Sequence, residues 1–296
     1  MTPRRTDLAV FLLIAVGLAW AIALPLWFGD GVASPLAQPL GAVMMFTPSL
    51  GVLAAWRVTR VSRAELAALT GLGLGPDRAR TFGLIAAAWL LTPVFAIVSL
   101  ALSSALGLLT LDLSGLSLYR EAMRAVAGTG LDPHTAWIIQ LVSGLTLGTL
   151  ITMIPAFGEE WGWRGWLLPR LTDTLGLPRA LLLSGVIWGL WHAPLTLLGY
   201  NYPRLGAWAA PVFVGFCVAY GLVIGWLRLR SGSVWPAVVA HAAFNATAGT
   251  FLMLGDAAAP PDPVVAGPFG VVGWALLAAL GVGLLTFLPV RRPVPA

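Results

Sequence analysis

Three short stretches of this 296-residue chain hold residue types that could do chemistry. Residues 158–166 read GEEWGWRGW, two adjacent carboxylates and an arginine among three tryptophans. GLWHAPL surrounds His192, and VVAHAAFNA surrounds His241. All three lie in or beside long apolar runs. An ionisable side chain inside a bilayer costs at least about 2.5–3.5 kcal/mol, so each is a functional candidate by default. The remaining histidine, His134, lies in a connecting segment with no evident partner.

Spacing divides the labour. If 157–168 is helical, Glu160 and Arg164 are i and i+4 with the acid first, the favourable order for an ion pair. Glu160 is then a structural anion. Glu159 points about 100° away, has no cation at helical spacing, and is the acid suited to act as a general base. Gly162, three residues on, is expected to leave room for a water or a substrate backbone. His241 and Asn245 are also i and i+4 and offer two donors for a developing oxyanion. Pro194 removes the N–H that would bond the Leu190 carbonyl, so the helix should bend near His192. Plainer readings exist for each feature: an ion pair at a helix end, histidines bonding between helices, tryptophans in an aromatic belt or in packing. They account poorly for all of these groups occurring in three successive motifs.

The elements that must position these groups follow from composition. The chain is 58% hydrophobic and 10% charged, with mean hydropathy +0.88; a soluble domain carries about 25% charged residues. Apolar runs fall near 8–28, 37–56, 82–109, 136–157, 180–200, 206–227, 233–254 and 268–288. The expected fold is an all-α polytopic membrane protein of about eight transmembrane helices. It reads as a single integral-membrane domain over 1–296, with its chemical core at about 136–254. The basic N-terminus followed by an apolar run reads as an uncleaved first span. All 17 basic residues are arginine, and 14 of them (4, 5, 57, 60, 63, 78, 80, 164, 170, 179, 228, 230, 291 and 292) fall on one side of the alternating loops. The positive-inside rule places that side, and both termini, in the cytoplasm. Segments 57–80 and 110–135 are too polar to span and are expected to form short helices along the interface. The arginines lie in short loops with no basic stripe interleaved with aromatics, which argues against nucleic acid as a partner. One cysteine, Cys217, excludes an intramolecular disulfide and reads as packing.

With these residues in view, the chain resembles the CPBP family, the type II CAAX prenyl endopeptidases and their bacterial Abi relatives. The motifs are Glu159-Glu160-x-x-x-Arg164, Trp188-x-x-x-His192 and His241-x-x-x-Asn245, in the family's order. Trp188 stands where phenylalanine is more usual. The resemblance covers about residues 136–254 and implies an intramembrane endopeptidase acting on a peptide or membrane-protein substrate. It implies that Glu159 and His192 activate a water, that His241 and Asn245 form the oxyanion hole, and that Glu160 and Arg164 support the architecture. It also leaves a zinc metalloprotease reading, with Glu159, His192 and His241 as the ligand set. That reading still needs a separate base, so a reaction without a cofactor is favoured. The other readings are a non-catalytic scaffold or bacteriocin self-immunity protein, and a transporter with these groups as a proton relay. The arginine-rich, lysine-free composition points to a multi-pass protein of a bacterial cell membrane, in contact with the lipid bilayer.

Overall fold

The computed structural model describes residues 5–125 and 130–290. It is 76% helix with no strands. The elements are α1 (Arg5–Trp27), α2 (Ala37–Met44), α3 (Thr47–Thr59), α4 (Arg63–Thr70), α5 (Arg78–Ala105), α6 (Ser117–Ala125) and α7 (Pro133–Ser143). They continue with α8 (Thr149–Glu160), α9 (Leu168–Leu175), α10 (Leu177–Trp191), α11 (Ala193–Thr196), α12 (Ala209–Ser231), α13 (Trp235–Leu252) and α14 (Val271–Phe287). Two π-helical segments, Gly144–Gly148 and Trp161–Leu167, join α7 to α8 and α8 to α9. Short helices form in both polar segments, as α4 and α6. Ser62 caps α4 by accepting from the Glu65 amide at 3.1 Å.

Among the described residues, five helical stretches are long and apolar enough to cross a membrane: Thr6–Trp27, Ala37–Thr59, Arg78–Ala105, Pro133–Leu175 and Gly206–Ser231. Leu177–Trp191 and Val271–Phe287 are apolar but shorter. Large aliphatic side chains stay exposed along α5 and along α7–α8, among them Leu90, Ile97, Ile138 and Ile151. Such faces suit lipid contact, where apolar surface carries no cost. Arg4, Arg291 and Arg292, on which the placement of the termini draws, lie outside the described residues.

The chain forms two compact units. The first comprises residues 5–85, 154–238 and 277–290. Its helices approach through glycines, the means by which spans pack closely without a hydrophobic driving force. A Cβ at Gly185 would stand 2.7 Å from the Val218 Cα, and one at Gly189 would stand 2.6 Å from the Val214 Cα, so α10 and α12 touch backbone to backbone. Gly51 of α3 is likewise pressed on the Phe11 carbonyl of α1.

The second unit comprises residues 86–125, 130–153 and 239–276. Ala96, Leu100, Leu109, Phe251 and Ala266 fill one interior cluster, and Leu116, Tyr119 and Ala136 fill another. Trp137 Nε1 donates to the Thr250 carbonyl at 3.0 Å and ties α7 to α13. Outside the spans, hydrogen bonds from Ser117 and Gly115 hold the Asp112 carboxyl below the usual carboxylate range and fix the start of α6.

Candidate active site

The first unit gathers four of the six expected site residues on three elements: the end of α8, the π-helical segment after it, and the end of α10. Gly158 and Gly162 turn one face of this stretch onto α3. A Cβ at Gly158 would lie 2.7 Å from the Met45 carbonyl oxygen, and one at Gly162 would overlap Pro48. Ser49 Oγ donates to the Gly158 carbonyl at 2.7 Å. The opening expected beside Gly162 is therefore absent, because Pro48 at the start of α3 occupies it. Glycine here permits close helix packing instead of clearing space for a ligand.

The ion pair expected from spacing forms. Arg164 Nη1 donates to Glu160 Oε1 at 2.9 Å, with both side chains 1% exposed or less. It lies in the interior of the unit, where losing either charge would strand the other. The π-helical course of Trp161–Leu167 differs from the regular α-helix assumed for the spacing. Such turns recur at functional sites. The guanidinium also lies over the Trp188 ring, 3.9 Å from its centroid.

Glu159 is 1% exposed. Its Oε2 accepts a hydrogen bond from Trp188 Nε1 at 2.7 Å, a short charge-assisted contact. Glu160 thus bonds a guanidinium on its own helical stretch, and Glu159 accepts from an indole N–H of α10.

The bend expected near His192 is a break. Pro194 lies in the first turn of α11, so α10 ends at Trp191. The His192 amide bonds the Gly189 carbonyl at 3.1 Å, three residues back. The Trp188 carbonyl then pairs with His192 Nδ1 at 2.8 Å. A carbonyl only accepts, so in this contact Nδ1 carries the hydrogen. The rings of Trp191 and Phe213 flank the imidazole at 4.6 and 4.7 Å.

The tryptophans resolve into packing. Trp163, Trp166, Trp188 and Trp191 are all buried. Phe11 of α1 stacks on Trp166 and meets Trp163 edge-on. Trp191 Nε1 donates to Thr47 Oγ1 and the Ala15 carbonyl, joining α10 to α3 and α1. Cys217 is a buried thiol on α12, as packing required.

His241 and Asn245 lie on α13 within the second unit. His241 is 4% exposed and Asn245 is exposed, so one helical turn separates an interior group from a surface one. Among the described residues, no group of three or more His, Cys, Asp or Glu side chains is arranged to hold a metal ion. Of the donor set named for zinc, Glu159 and His192 lie in the first unit and His241 in the second.

One further contact at the site is missed by spacing. Trp188 supplies the Glu159 contact, and nothing in a helical pattern assigns an indole N–H to a carboxylate from another helix.

Comparison with known proteins converges on the same stretch. Residues 137–247 match the family model described as type II CAAX prenyl endopeptidase Rce1-like. The motif-bearing region is thus similar to the Rce1-like family. All six motif residues fall inside the match, as does Trp188. A curated relative, CAAX prenyl protease 2 of Methanococcus maripaludis, is 29% identical over 100 residues, which is 32% of this chain and 37% of that protein. The chain thus spans little more than a third of the relative it matches. The Rce1-like region takes in α8, the π-helical segment and α9–α12, with most of α7 and α13.

Proposed function

We propose that the protein is an intramembrane endopeptidase of the Rce1-like type, hydrolysing a peptide bond of a peptide or membrane-protein substrate near the cytoplasmic side of a cell membrane. The observation that carries this reading is the pair of buried acids in unlike settings. Glu160 is neutralised by Arg164, while Glu159 faces the neutral indole of Trp188 within the Rce1-like region. A scaffold has no use for a second buried carboxylate held this way.

In the proposed reaction Glu159 takes a proton from a water whose oxygen attacks the scissile carbonyl carbon. His192, with Nδ1 committed to the Trp188 carbonyl, assists through Nε2. His241 and Asn245 donate to the oxyanion of the tetrahedral intermediate. When the C–N bond breaks, the proton held by Glu159 passes to the leaving amine. Glu160 and Arg164 hold the helix ends in register. The chain crosses the membrane about eight times with both termini in the cytoplasm, an arrangement supported by the arginine distribution.

The test is cleavage, by the purified full chain in detergent, of a quenched fluorogenic peptide bearing a prenylated cysteine near its C-terminus, beside its unprenylated counterpart. Cleavage that survives a chelator supports the reading. Loss on chelation with recovery on added zinc favours the metallo form. No cleavage of either peptide transfers the weight to the scaffold reading.

A further inference from the structure

Trp188 touches three polar groups of the site at once. Its indole N–H donates to Glu159 Oε2 at 2.7 Å, its ring carries the Arg164 guanidinium at 3.9 Å, and its carbonyl meets His192 Nδ1 at 2.8 Å. It is itself buried and further held by Tyr220, whose ring lies 6.2 Å away. The carbonyl contact is available to any residue at this position. The guanidinium contact is available to any aromatic one. The hydrogen bond to Glu159 requires an indole N–H, since phenylalanine has the ring but no donor there.

We propose that Trp188 is the positioning residue of the catalytic acid. Its N–H fixes one oxygen of Glu159, and its face keeps Arg164 directed to Glu160. The first contact pins the carboxylate rotamer through a donor that carries no charge of its own. The second holds the Arg164 guanidinium against the ring, 3.9 Å from its centroid. A cation bonded directly to Glu159 would satisfy it and blunt its basicity; a neutral donor orients it and leaves it able to take a proton. This inference rests on the reading of Glu159 as the general base.

The deciding comparison uses the full chain in detergent with two replacements at position 188. Trp188→Phe keeps a ring for Arg164 and the carbonyl for His192. Replacement by benzothienylalanine, in which sulfur stands for the indole N–H, keeps the whole shape and deletes the donor alone. On the peptide that wild type cleaves, both are expected to lower kcat about 10- to 100-fold, the range of a lost hydrogen bond to a charged group. KM should stay within about twofold, and the Tm of the isostere within about 2 °C. A merely structural role would leave the isostere at wild-type kcat. Infrared difference spectra of each protein against its Glu159→Gln counterpart give a second readout that needs no substrate. The carboxylate band of Glu159 should shift when the donor is removed. An isostere with wild-type kcat and an unmoved band, in a protein that Glu159→Gln inactivates, overturns the role of Trp188 alone. A Glu159→Gln protein with full activity overturns the general base and the positioning role together.

Discussion

The two adjacent glutamates bond different side chains, Glu160 the Arg164 guanidinium and Glu159 the Trp188 indole. Arg164 bonds Glu160 and caps the face of Trp188, so its removal would leave a carboxylate with no exposed surface uncompensated. Arg164→Met is expected to destabilise the protein by about 3–5 kcal/mol, read as a lower Tm in detergent. The double variant Arg164→Met with Glu160→Gln should recover most of that loss, because no buried charge is then stranded. This pair was legible in the sequence, since i and i+4 residues share a helix face whatever packs on it. Gly162 was not: the same absent side chain can clear space or admit a neighbouring backbone, and Pro48 decides between them from over a hundred residues earlier in the chain. The donor to Glu159 was illegible for the same reason, as α10 brings it.

At the level of elements, composition and period carried most of the information. Apolar runs gave helices, and Pro194 gave a bend near His192 that the structure sharpens to a break. The two π-helical segments left no mark, because five or seven residues are too short a window to separate their period from that of an α-helix. Glycines four apart, Gly185 with Gly189 and Gly221 with Gly225, do not say which helix they will meet. In the structure they bring α10 against α12 and so set where Trp188 and His192 stand. Gly189→Ala would drive a methyl group to within 2.6 Å of the Val214 Cα. Overpacking of this kind costs about 1–3 kcal/mol. The expected result is a lower Tm with a reduced cleavage rate, whereas Gly249→Ala, which meets nothing within 4 Å, should leave Tm unchanged.

For the whole molecule, apolar composition marks a membrane protein before any contact is known. A C-terminal green fluorescent protein fusion should fluoresce, and a C-terminal alkaline phosphatase fusion in a bacterial host should be inactive, if both termini are cytoplasmic. The reverse result would invert the proposed topology and move the site to the opposite face. Nothing in the spacing of residues 159, 192 and 241 states how far apart they stand, which is why the chemistry rests on the match over 137–247 and on the unlike settings of the two acids. The most direct measurement compares the cleavage rates of wild type and Glu159→Gln, each in detergent with its Tm determined. The account predicts a fall in kcat of about 10²–10⁴-fold with Tm within about 2 °C of wild type. Full activity in Glu159→Gln would contradict it.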